Sequence, residues 1–73
     1  MTATEKLDAI SKALEAGRTI YVRTHTHSTK VTPRTAARFA ATGRPVFKAT
    51  GNDLWMTSGR KYVCINWCRV EAH

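Results

Sequence analysis

Acidic side chains are scarce in this sequence: only five of 73 residues are Asp or Glu, against twelve Lys or Arg. Asp53 falls in a turn-like stretch and Glu71 near the end of the chain, so no paired-carboxylate site for acid–base chemistry emerges. The four glycines punctuate separate turns and leave no Gly-rich phosphate loop. Ser11, Ser28 and Ser58 lack the strained setting of a nucleophile. Catalysis is therefore not expected, and neither is a cofactor. The only two cysteines are Cys64 and Cys68. On one strand they would lie about 13 Å apart at ~3.3 Å per residue, beyond the ~7 Å Cα separation a disulfide tolerates. They read as free thiols in a reducing compartment. No run approaches the ~20 apolar residues of a membrane span. The first fifteen residues are charged and helical in pattern, unlike a signal peptide. A cytoplasmic protein without a membrane partner is expected.

What is present is positive charge, unevenly placed. Arg18, Arg23, Lys30, Arg34, Arg38, Arg44 and Lys48 follow one another with no intervening Asp or Glu. The preceding segment offsets Glu5, Asp8 and Glu15 with Lys6 and Lys12. Most of the formal charge of +7 thus lies from Arg18 onward. Such a field concentrates polyanions and speeds encounter with them. The implied partner is nucleic acid or a protein machine that holds it.

The length suits one small domain, residues 1–73, and a monomer is expected. Such a domain buries about 60% of its unfolded surface, which leaves little core to spend on a deep cavity. The fold class expected is α+β. Thr2-Ala3-Thr4-Glu5 matches a capping box. Leu7, Ile10 and Leu14 recur at helical spacing up to Gly17, predicting a helix from about Ala3 to Ala16. Thr19 to Thr24 alternates as a strand with Ile20 and Val22 inward. His25 to Lys30 suits either an extension of that strand or a loop. Thr32-Pro33 begins a short second helix, Arg34 to Ala41, that ends at Gly43. A three-stranded antiparallel β-meander follows: Pro45 to Thr50, Asp53 to Thr57 and Arg60 to Val70, with turns at Gly51-Asn52 and Ser58-Gly59.

Two-residue turns fix a register. Ala49 opposes Leu54, Leu54 opposes Val63, and Phe47 opposes Met56. One face holds Phe47, Ala49, Leu54, Met56, Val63, Ile65 and Trp67, and is the expected core. The other carries a row of Lys48, Trp55 and Tyr62. That row is a candidate surface for stacking bases or anchoring a protein; the alternative is a second small core under a helix or the chain end. Lys30, Arg34, Arg38 and Arg44 form a basic cluster around the second helix, extended by Arg60 and Lys61. Here the alternative is a solvated helix face.

Two other readings are weaker. His25 and His27 with Cys64 and Cys68 invite a zinc site, but C-x-x-x-C lacks the usual ligand spacing, and solvent-facing histidines are the simpler reading. Thr35 to Ala40 has the flavour of a helix-turn-helix, yet Gly43-Arg44-Pro45-Val46-Phe47 leads into a strand where the second helix should begin.

The basic middle from His25 to Arg44, the run Thr50-Gly51-Asn52-Asp53-Leu54-Trp55-Met56 and the tail Arg60-Lys61-Tyr62-Val63-Cys64-Ile65-Asn66-Trp67-Cys68 carry a resemblance. Over its full length the chain resembles the small phage-encoded regulators of bacterial RNA polymerase, of the kind made by a lytic Xanthomonas phage. The resemblance implies a non-enzymatic protein that binds the N-terminal region of the β′ subunit near the RNA exit channel. It implies inhibition of host promoters by disfavouring sigma association, read-through of terminators, and contact with nascent RNA. It transfers no particular contact residues. The candidate partner-binding residues Lys30, Arg34, Arg38, Arg44, Lys48, Trp55, Arg60, Lys61 and Tyr62 rest on the residue patterns above. A direct single-stranded nucleic-acid binder is the alternative function.

Overall fold

A computed structural model describes residues 2–73. The chain runs α1 (Ala3–Glu15), β1 (Ile20–Arg23), β2 (Ser28–Val31), α2 (Pro33–Ala41), β3 (Phe47–Thr50), β4 (Asp53–Ser58), β5 (Lys61–Cys64) and β6 (Arg69–Ala72). The fold is α+β, with two antiparallel three-stranded sheets of order β2-β1-β6 and β3-β4-β5.

Local chemistry sets the helix ends. Thr2 Oγ1 accepts from the Glu5 N–H at 3.1 Å and starts α1. At the other end Gly17 takes φ 83°. Its N–H donates to Leu14 and the Arg18 N–H to Ala13, the paired bonds of a Schellman stop. Asp8 and Lys12 pair at 3.1 Å on the solvent side. Thr32 caps α2 by accepting from the Thr35 N–H, with Pro33 in the first turn.

The first meander hairpin follows the expected register, with Phe47 opposite Met56, Lys48 opposite Trp55 and Ala49 opposite Leu54. The second hairpin differs. Its turn is Gly59-Arg60, because Ser58 pairs with Lys61. Gly59 takes φ 62° at the first central position, where a tight hairpin turn of this kind needs positive φ and Ser would be strained. Moving the turn by one residue shifts the partners by two. Val63 therefore lies opposite Met56 rather than Leu54, and Trp55 opposite Cys64 rather than Tyr62. A shift of two keeps every side chain on its expected face.

The last strand is also corrected. Arg60 to Val70 is not one strand, because the chain leaves the meander after Cys64 and re-forms as β6 beside β1. Asn66 makes the switch possible. Its Oδ1 accepts from the Leu54 N–H at 2.9 Å, and its Nδ2 donates to Asp53 Oδ1 at 2.7 Å. The Asn66 side chain thus satisfies the β4 edge where β5 stops. Trp67, expected in the core, lies at this corner and is 81% exposed. Reciprocal Thr19–His73 backbone bonds of 3.1 and 2.8 Å extend the β1–β6 pairing. His25 to Lys30 divides: Ser28 onward is β2, an additional strand, while His25 and His27 sit in the exposed β1–β2 turn.

Both sheets and α1 share one core. Ile10 of α1, Ile20, Val22 and Val31 of the first sheet, and Phe47 and Leu54 of the second are all buried, with Ile65 beside them. Val63, at the margin of the inner face, is 36% exposed.

Candidate partner-binding surface

The candidate residues fall on four surfaces rather than one. Arg44, Lys48, Trp55, Arg60 and Tyr62 belong to the outer side of the second sheet and the turns beside it. Lys61 follows Arg60 in sequence but shares the alternation of Val63, so it lies beyond the rim of the inner side. Arg34 and Arg38 are exposed on α2. Lys30 belongs to β2, opposite Tyr21 on the outer side of the first sheet.

Tyr62 is the hub of the first group. Its hydroxyl donates to the Pro45 carbonyl at 2.6 Å, which fixes the ring against the segment entering β3. Lys48 Nζ lies 4.2 Å from the ring centroid and the Arg44 guanidinium carbon 5.6 Å. Both distances are within the reach of a cation–π contact. Arg44 is itself held by donating to the Arg60 carbonyl at 2.8 Å. Two like charges thus converge on one ring. Among the described residues, no carboxylate forms a salt bridge with Arg44, Lys48, Arg60 or Lys61.

Trp55 extends this surface. It stands directly between Lys48 and Cys64, and its indole N–H donates to Thr50 Oγ1 at 2.7 Å. Tyr62 is opposite Thr57, two pairs farther along and therefore on the same face. The directly opposed row is therefore Lys48–Trp55–Cys64, with Tyr62 on the diagonal. Lys48, Trp55, Tyr62 and Cys64 are each half-buried and none is enclosed. The second core considered from the sequence is not formed here. Hydrogen bonds lock both aromatic rings, leaving a preorganised surface of rings and cations that can anchor an acidic protein or a phosphate-bearing strand.

A second constellation was not expected from the sequence. On the outer side of the first sheet, Tyr21 meets His73 edge-on at 4.9 Å and lies under the Arg23 guanidinium at 5.4 Å. Glu71 ties it together through Arg23 at 3.2 Å, His73 at 3.3 Å and Arg69 at 3.7 Å. The His73 hydrogen bond, with the charges of Arg23 and Arg69, holds the Glu71 carboxyl below its ordinary value, against some desolvation that works the other way. Alternation around Ile20 and Val22 places Tyr21 outward, but nothing local to β1 signals that β6 is its neighbour.

The metal reading gains no geometry. Among the described residues, no three His, Cys, Asp or Glu side chains gather into a ligand set. Both cysteines are free and half-buried, Cys64 on the outer side of β5 and Cys68 in the turn before β6. No helix among the described residues is long and apolar enough to cross a membrane. No protein-family model, curated protein or solved structure matches the chain.

Proposed function

We propose that this protein is a non-enzymatic, phage-type transcription regulator that docks on the RNA polymerase of its bacterial host. In this reading it acts as a monomer in the host cytoplasm. It binds the N-terminal region of β′ near the RNA exit channel, disfavours sigma association at host promoters and promotes terminator read-through. The observation that carries the docking surface is the convergence of Arg44 and Lys48 on the fixed ring of Tyr62, with no carboxylate partner among the described residues. Unpaired cations beside locked aromatics provide both the steering field and the low-entropy anchors of a protein hot spot.

The test is capture of purified, nuclease-treated core RNA polymerase by the tagged protein at moderate salt. Wild type retains polymerase and the Arg44→Glu, Lys48→Glu double variant releases it. Equal retention by a folded double variant overturns this surface. A second reading, direct binding of single-stranded nucleic acid, draws on the same open face because Trp55 and Tyr62 are half-buried on a sheet that can stack bases. It requires oligonucleotide binding that weakens steeply with salt. In the regulator reading, contact with nascent RNA is secondary to polymerase docking.

A further inference from the structure

The outer side of the first sheet is a charged surface apart from the Tyr62 face. The register places Tyr21 and Arg23 of β1, Ser28 and Lys30 of β2, and Arg69 and Glu71 of β6 on this side. The aliphatic residues Ile20, Val22, Val31 and Val70 alternate to the other side. Among the described residues of these strands, none that faces outward is therefore aliphatic. Arg23, Lys30 and Arg69 are exposed, and Glu71 is the one carboxylate beside them.

Glu71 does more than offset charge. Arg23 and Arg69 are opposed across β1 and β6, and the carboxylate takes each through Nε, at 3.2 and 3.7 Å. Among the described residues, no other acceptor forms a salt bridge or hydrogen bond with either guanidinium. The Tyr21 ring lies under Arg23 at 5.4 Å, and His73 meets that ring edge-on at 4.9 Å. Two guanidinium forks are thus held side by side, with donors left over for an incoming anion. Such forks match the oxygens of a phosphate group.

The make-up of this side selects the source of the anion. The buried centre of a protein interface is apolar and depleted of charge, and this side offers no such centre. Nucleic-acid interfaces are more polar and far more positive, and set Arg, Lys and Ser on backbone phosphates. Planes for a base are also present. They are the Arg23 guanidinium and the His73 ring, whose side chains are 46% and 56% exposed. Only splayed, unpaired bases stack on such planes. We infer that the outer side of the first sheet binds single-stranded nucleic acid, with Arg23, Arg69 and Lys30 on backbone phosphates and Glu71 positioning the two arginines. This site is separate from the Tyr62 face and does not depend on the polymerase reading.

The experiment is NMR titration of the full chain with a short oligouridylate, following backbone amides and arginine Nε–H signals. Shifts are expected at Tyr21, Arg23, Lys30, Arg69 and His73, with an affinity that weakens as salt rises. The Arg23→Gln, Arg69→Gln variant is expected to bind about tenfold more weakly or worse, the equivalent of losing one charge-assisted hydrogen bond. Lys30 is exposed and makes no salt bridge among the described residues, so Lys30→Gln is expected to fold normally. It should flatten the salt slope by about 0.7, the share of one phosphate on a single strand. An RNA duplex of the same length and a polyglutamate peptide serve as competitors, and both are expected to bind far more weakly. Undetectable binding, an unchanged salt slope in Lys30→Gln, or either competitor matching the oligouridylate would overturn the inference. Shifts confined to Trp55, Tyr62 and their neighbours would also overturn it, and would move single-strand binding to the Tyr62 face.

Discussion

Lys48 Nζ lies 4.2 Å from the centre of the Tyr62 ring, although β3 and β5 are not paired and β4 runs between them. The contact crosses the middle strand because Tyr62 is anchored at its far end, hydroxyl to Pro45 carbonyl. Two variants separate anchor from ring. Tyr62→Phe keeps the ring and loses the hydrogen bond, and is expected to cost about 1 kcal/mol of stability. Tyr62→Ala also removes the ring beneath both cations and is expected to weaken polymerase binding well beyond Tyr62→Phe. Urea unfolding and binding measured on the same two variants check this; equal binding loss would point to the hydroxyl rather than the ring.

Asn66 provides the second prediction. Its amide meets the Leu54 N–H and the Asp53 carboxylate at the point where the chain leaves one sheet for the other. Asn66→Ala leaves the Leu54 N–H without its partner, beside one of the most buried side chains in the protein. A loss of about 1 kcal/mol is expected for removing the partner of this part-buried donor. Chemical denaturation gives the magnitude. Faster hydrogen exchange at the Leu54 amide locates the effect, and unchanged exchange there would refute it.

Which parts of this architecture were legible in the sequence follows from how local each cause is. The Thr2 and Thr32 caps, the Gly17 stop and the Gly51-Asn52 turn act within a few residues, and all appear as read. The second hairpin turns one residue later than its Ser58-Gly59 signal suggests, yet its faces survive because strand alternation has period two. The break after Cys64 was not legible. Its causes are a side chain–backbone bond from Asn66 to Leu54 and the distant β1, whose free edge takes β6. Nothing within Arg60 to Val70 signals either. The site shows the same division. Lys48, Trp55 and Tyr62 share a face as expected, but Lys30, Arg34 and Arg38 separate onto β2 and α2 once the chain folds.

Trp67 tests the corrected tail directly. A tryptophan in the core would cost about 3–5 kcal/mol on truncation to Ala. At 81% exposure, Trp67→Ala is expected to stay within about 0.5 kcal/mol of wild type. Leu54→Ala, at 1% exposure, serves as the contrasting variant and should lose about 2–5 kcal/mol. Denaturation midpoints for the pair decide between the two placements of the tail, since one long third strand would make both substitutions costly.

The Glu71 cluster sets a pH dependence whose sign is fixed. Arg23 and Arg69 are directly opposed across β1 and β6, a like-charge pairing that is unfavourable by itself. Glu71 bridges them and accepts from His73, so its carboxyl titrates below the ordinary value in the folded chain. A lowered folded value means that the unfolded chain takes up the proton first as pH falls. The stabilisation is therefore complete above the usual glutamate range of about 4.3 and is lost as pH drops through the lower folded value. Glu71→Gln removes the charge at every pH. The stability gap between wild type and Glu71→Gln should be widest near neutral pH and close on acidification below the ordinary glutamate value. Thermal melts of both proteins from pH 7 to pH 3 measure it. A gap that persists unchanged at pH 3 would mean that Glu71 acts through its shape and hydrogen bonding rather than its charge, and that the opposed arginines are tolerated without it.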